Sequence, residues 1–166
     1  SFSAKDTLSL MQSLYETHKL LTYPRTDSRY LSADIVDTLR ERINACGVGV
    51  YAPLGVRTRT MSFSQKAFFV DDSKVTDHHA IIPTEQKVYL DKLNLEERKI
   101  YDLVIRRFFA VMLPPFEYEQ TAVEALINGE TFIARGKRVL KAGWKEIYGQ
   151  SADEDAGEEG LADQIL

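Results

Sequence analysis

Apolar positions recur at helical spacing in three stretches and alternate in a fourth. Leu8, Met11, Leu14 and Tyr15 share one helical face. Ser3, with Asp6 in the first turn, supplies the start, so a helix is expected from Ser3-Ala4 to about His18. His18 at its end reads as a carbonyl cap or a packing residue. Ile35, Val36, Leu39 and Ile43 form a second stripe, opened by Ser32 and Asp34 and closed by Gly47 and Gly49, with Cys46 packed at its end. Residues 47–62 read as a connection punctuated by Gly and Pro, with Arg57 and Arg59 solvated or, as the alternative, in contact with backbone phosphates. Residues 62–70 read as a short helix carrying Phe63, Phe68 and Phe69, for which core packing is favoured over stacking on bases. Asp71-Asp72-Ser73-Lys74 is a turn. Asn94-Leu95-Glu96-Glu97 resembles a capping box and launches the longest helix, about 95–112, with Ile100, Tyr101, Val104, Phe108 and Met112 inward. Arg106 and Arg107 lie on its solvated face, and Pro114-Pro115 stops it.

Past the prolines the period changes from helical to alternating. Glu119, Thr121, Val123, Ala125 and Ile127 share one face of a strand over 117–127. Asn128-Gly129 is the signal of a type I′ hairpin, and Thr131 to Arg135 returns as a second strand. Val139-Leu140 begins another extended piece, and Trp144 and Tyr148 are apolar anchors. Residues 149–160 are acidic and read as a mobile loop, and Leu161 to Leu166 as the start of a further element.

Composition narrows the class. The chain has 166 residues, enough for one good core or for a domain plus a piece of another. One cysteine, Cys46, excludes an internal disulfide framework and fits a reducing compartment. No apolar run reaches membrane-spanning length, so a cytoplasmic protein, nucleoid-associated if bacterial, is expected. The opening Ser1-Phe2 reads as the edge of an excised piece. Net charge is −4, but residues 151–166 carry six acids and no Lys or Arg. Without them 21 basic groups face 19 acidic ones, so this chain is expected to make modest, local phosphate contacts.

Between the first two helical stretches lies Leu20-Leu21-Thr22-Tyr23-Pro24-Arg25-Thr26-Asp27-Ser28-Arg29-Tyr30. Proline holds the residue before it out of the helical region, so Tyr23 sits on extended backbone. In an extended stretch Arg25 falls on the same side as Tyr23. A phenol beside a guanidinium is the minimal set for attack on a phosphodiester, although most tyrosines in proteins simply pack. Thr26, Ser28 and Arg29 are candidate donors to backbone phosphates. Asp27 would orient Arg25 or Arg29, or cap a turn.

This segment resembles the active-site segment of type IA DNA topoisomerases, with the flavour of topoisomerase III. Thr76-Asp77-His78-His79-Ala80-Ile81-Ile82-Pro83-Thr84 resembles that family's histidine motif. Phe2-Ser3-Ala4-Lys5 with Gln12-Ser13-Leu14-Tyr15-Glu16 resembles the helix leading to its tyrosine, and Gly143-Trp144-Lys145 also fits. The resemblance implies Tyr23 as nucleophile, Arg25 as its phosphate partner and His78 as a second catalytic residue, with Thr26, Ser28, Arg29 and His79 on DNA. If residues 76–82 are extended, His78 and His79 point to opposite faces and at most one of them faces the tyrosine; the resemblance favours His78. It further implies a single-stranded DNA substrate, cut and rejoined through a 5′-phosphotyrosine. Mg²⁺ would be held by a domain outside this chain, and the remaining domains of the same polypeptide would be its partners. Two adjacent histidines with a distant cysteine make a poor zinc pattern, so no metal site is expected here.

The expected fold is α+β. A mainly helical, winged-helix-like tyrosine domain covers 1–113. A β segment of a discontinuous arch domain covers 114–148, and an acidic loop with the start of the next element covers 149–166. Two other readings compete with this one. In tyrosine recombinases the tyrosine follows a His-x-x-Arg element, whereas here it precedes the histidines and residue 81 is Ile. A non-catalytic winged-helix-like DNA-binding module is the other.

Overall fold

A computed structural model of the chain describes residues 2–149. The acidic loop and the further element expected beyond them lie outside the described residues. The chain divides into two compact units, one running to Val111 and one from Met112.

The first unit is helical. Helix α1 spans Ala4–Glu16 and opens on a reciprocal cap: the Ser3 hydroxyl accepts the Asp6 N–H, and the Asp6 carboxylate accepts the Ser3 N–H. His18 lies beyond the helix; its backbone N–H donates to the Ser13 carbonyl at 3.2 Å, while its side-chain Nε2 meets the Glu97 carboxylate at 3.2 Å. The second apolar stripe is split into a 3-10 turn, Ala33–Thr38, and helix α2, Leu39–Cys46. Ser32 stands at the cap position but makes no capping bond; its hydroxyl is engaged by Asp34. The carboxylate of Asp72, far along the chain, accepts the Ala33 N–H at 2.8 Å instead. Cys46 is buried, and that burial pushes its thiol up to about 12, so it packs as an inert group.

Two stretches depart from the pattern-based expectation. Residues 47–62 contain a 3-10 turn, Gly49–Tyr51, and helix α3, Ala52–Arg59, with Pro53 in the first turn. The glycines that resembled loop punctuation are where two backbones touch. A Cβ on Gly55 would lie 2.7 Å from the Gly47 carbonyl oxygen. Residues 62–70 are turns, not a helix. Leu31 N–H donates to Phe69 O and Asp71 N–H donates to Leu31 O, which draws out the backbone that a helix would need to coil. Phe69 is buried there, but Phe68 is 77% exposed.

Helix α4, Leu95–Met112, is launched as its cap predicts. Asn94 Oδ1 accepts the Glu96 and Glu97 N–H groups, and Glu97 reaches back to the Asn94 N–H at 3.0 Å. Ile105 and Phe109 are its most buried side chains, and Val104 is only half-buried. With Leu14, Leu21, Leu39 and Ile43 they form the core of this unit.

The second unit is a hairpin. Strands β1, Glu117–Ile127, and β2, Glu130–Lys141, pair antiparallel with Val123 opposite Ala134 and Ala125 opposite Phe132. Asn128 and Gly129 both take positive φ, 53° and 86°, as a type I′ turn requires. Val139 and Leu140 continue β2 and do not begin a separate strand, because the ladder runs on to Lys141. A 3-10 turn, Gly143–Tyr148, follows, with Trp144 edge-on to Tyr148. The fold is therefore α+β: a mainly helical part followed by a two-stranded antiparallel sheet.

Candidate active site

The tyrosine segment leaves α1 and crosses the core before it reaches the surface. Leu20 and Leu21 are buried, and Leu21 forms an antiparallel bridge with Pro83. Thr22 N–H donates to Ile82 O at 2.9 Å, and Thr84 N–H donates to Leu20 O at 3.0 Å. The Thr22 hydroxyl takes the Ile82 N–H at 3.0 Å. The tyrosine motif is thus stitched to the histidine motif across about sixty positions of sequence. No local propensity brings them together; the buried leucines and this short ladder do.

Tyr23 sits at the end of that ladder, half-buried, on non-helical backbone, with Pro24 buried behind it. Its ring is held on two sides. Tyr15 of α1 meets it edge-on, centroids 5.4 Å apart, and the His78 ring lies tilted against it at 4.4 Å. Residues 76–78 form a bend, so His78 and His79 are not alternate positions of one strand. The Thr26 hydroxyl donates to the His78 carbonyl at 2.8 Å and fixes that bend onto the tyrosine segment. His79 is turned the other way: its Nδ1 lies 2.7 Å from Ala80 O, and a carbonyl can only accept, so that nitrogen carries the proton.

Arg25 is exposed and reaches α1, where Nη2 donates to Gln12 Oε1 at 3.4 Å. The Gln12 amide donates in turn to Glu16 at 2.8 Å, which leaves its oxygen for the guanidinium. Arg25, Thr26, Asp27, Thr76, Asp77 and His78 line an open cleft of about 390 Å³. Asp27 lines this cleft and pairs with neither Arg25 nor Arg29 among the described residues. The local turn is closed by Thr26 and Ser28: Thr26 Oγ1 accepts the Ser28 N–H, and Ser28 Oγ accepts the Tyr30 N–H. Both hydroxyls give their protons to carbonyls, Thr26 to His78 O and Ser28 to Lys74 O at 2.7 Å. In this arrangement they position the segment and have no proton left for a phosphate. Arg29 is exposed.

Sequence reasoning missed Arg42. It is buried on α2, and its guanidinium donates to Pro83 O at 2.8 Å and to Thr38 Oγ1 at 2.8 Å, and pairs with Glu85 at 2.7 Å. It therefore clamps the end of the histidine segment onto the helix. The signal was present: position 42 lies next to Ile43 and three residues after Leu39, inside the apolar stripe, where a charge needs a partner. Glu97 is a second buried charge. Burial alone would raise its carboxyl, but bonds from Ser13, the Asn94 N–H and His18 outweigh that and hold it below the usual carboxylate range. It ties the start of α4 to the end of α1.

Among the described residues no group of three or more His, Cys, Asp or Glu is placed to hold a metal ion. No helix among the described residues is long and apolar enough to cross a membrane.

A family model described as DNA topoisomerase matches residues 1–163. The chain is 55% identical over 165 residues to DNA topoisomerase 3 of Bacillus thuringiensis (strain Al Hakam), 55% to that of Bacillus anthracis and 52% to that of Bacillus subtilis (strain 168). In each case 99% of this chain is covered, and it spans 23% of the length of the relative it matches.

Proposed function

The chain belongs to the DNA topoisomerase family, type IA and topoisomerase III-like, and from that premise we propose that Tyr23 cuts one DNA strand by forming a 5′-phosphotyrosine. The observation that carries the reading is the Tyr23 ring held against His78 at 4.4 Å, with Arg25 two residues along and lining the same cleft as His78. A free phenol has a pKa of about 10 and is a poor nucleophile at neutral pH. Cations nearby favour the phenolate and stabilise the charge that builds on the phosphoryl oxygens.

In this reading Tyr23 Oη attacks the phosphorus while the bond to the 3′ oxygen breaks. The phenol proton leaves, and the 3′ oxygen takes up a proton as it departs. His78 is exposed at the cleft and can donate to the phosphate or protonate the leaving oxygen. Arg25 holds the non-bridging oxygens, with Gln12 steering the guanidinium. Thr26, Ser28 and Arg42 position the segments. The covalent link conserves the energy of the broken bond, so the 3′ hydroxyl reseals the strand without a nucleotide cofactor. Single-stranded DNA is the substrate proposed, strand passage the outcome, and magnesium is assigned to residues of a longer polypeptide outside this chain.

The test is trapping of a covalent DNA adduct in the full-length polypeptide. Tyr23→Phe should abolish the adduct and leave single-strand binding nearly intact, whereas Tyr30→Phe should retain it. A normal adduct from the Tyr23 variant ends the assignment, and a link to the 3′ phosphate would point to recombinase-type chemistry.

A further inference from the structure

Lys19 joins α1 to the tyrosine segment, and its backbone is left-handed, with φ of 58°. Among the described residues only one other non-glycine residue, Asn128, has positive φ, and it lies in a turn that demands it. Glycine takes this conformation without the crowding that a Cβ brings. The backbone is pinned there. Leu20 N–H reaches back to Leu14 O at 2.8 Å, Thr84 N–H donates to Leu20 O at 3.0 Å, and the Thr84 hydroxyl donates to the Lys19 carbonyl at 2.5 Å. The chain path therefore explains the left-handed turn, but not why lysine occupies it.

The side chain gives the reason. Lys19 is exposed, and its ammonium stands 6.0 Å from the centroid of the Tyr15 ring, the ring that meets Tyr23 edge-on. Glu16, three residues back, is a ready ion-pair partner, yet its carboxylate takes the Gln12 amide. Among the described residues Lys19 has no carboxylate partner. A strained backbone held rigid from both sides, carrying a cation that faces the Tyr15 ring and has no carboxylate partner among the described residues, fits a binding role.

We infer that Lys19 binds a phosphate of the DNA strand that Tyr23 cuts, next to the scissile one. The inference rests on the reading of Tyr23 given above. The ammonium acts as a point charge on the phosphate and takes no part in the bond exchange.

The experiment measures binding of a labelled single-stranded oligonucleotide by the full-length polypeptide across a salt series. Tyr23→Phe is the background, so that cleavage does not contribute. One phosphate contact on a single strand contributes about 0.7 to the slope of log affinity against log salt. Lys19→Gln and Lys19→Gly should each reduce the slope by about that amount, and Lys19→Arg should keep it. Lys19→Gly should melt no lower than the parent, because glycine suits the turn. Parental slopes in both the Gln and Gly variants would overturn the inference. A clear loss of thermal stability in Lys19→Gly would also overturn it, by showing that the lysine serves the fold. Adduct trapping with Tyr23 intact separates the two claims: no adduct sinks the reading of Tyr23, while a reduced slope would still establish the phosphate contact.

Discussion

In the unit that carries Tyr23, the side chains of Leu14, Leu39, Ile43, Ile105 and Phe109 are wholly buried. Along β1 and β2 nearly every side chain is exposed, including Leu126, Phe132 and Leu140. The first unit is held by apolar burial and by polar bonds between residues far apart in sequence. The ribbon is held by its own backbone ladder, a two-residue turn and exposed cross-strand pairs. An apolar core can fix distant segments to within a rotamer, because neighbours on all sides leave no alternative packing. A two-stranded ribbon with two open faces has no such constraint and is marginal by itself. It is therefore consistent that the tyrosine and histidine segments meet inside the first unit.

Four substitutions would break or sharpen that contrast. The largest effect is expected from Arg42→Ala, which strands the buried Pro83 carbonyl and frees Glu85. A loss of about 3 kcal/mol in the first unit is expected, with a matching loss of adduct formation. Urea denaturation and adduct yield, measured together, check it. Stability near the parent's would show that the clamp is not what holds the histidine segment.

Gly143→Ala tests the second unit. Gly143 has φ of 52°, and a Cβ there would lie 2.3 Å from the Pro115 carbonyl oxygen. The loss should be about 2 kcal/mol and should appear as faster hydrogen exchange in the turn and the ribbon, with the core amides of α4 unchanged. Equal acceleration in both units would mean that they unfold together.

Glu97→Gln comes next, at about 1–2 kcal/mol near neutral pH. The folded carboxyl lies below its ordinary value, so its contribution is present above the unfolded pKa and is lost as pH falls through the folded one. The difference in melting temperature between parent and variant should therefore be full at pH 7 and shrink below about pH 4. A difference independent of pH would show that packing, not charge, is what Glu97 contributes.

Arg138→Ala should have the smallest effect. Its pair with Glu119 spans the ribbon at 2.7 Å, but both side chains are more than half exposed. The change should fall within about 0.5 kcal/mol and vanish in high salt. A larger loss would raise the ribbon's side chains above the role given to them here.

The sequence by itself determined the elements whose causes are local. The Ser3–Asp6 and Asn94–Glu97 caps, the apolar spacing of α1 and α4 and the Asn128-Gly129 turn each act within a few residues, and each element formed where its signals lie. The proline that holds Tyr23 off the helix belongs to the same class. What only the tertiary structure decided has partners far away in the chain. Helix α3 is too short to stand by propensity and packs with Gly55 directly against Gly47. The helix expected over 62–70 is drawn out by its bonds to Leu31. Ser32 yields its capping role to Asp72, and Arg42 enters the core because Pro83 and Glu85 are there to meet it. The contact of Tyr23 with His78 is of this second kind. The residue types were legible in the sequence, but their meeting depends on the bend at 76–78 and on the ladder from Leu20 to Thr84. Those bonds pair groups some sixty residues apart, and no local pattern encodes the loop closure that brings them together.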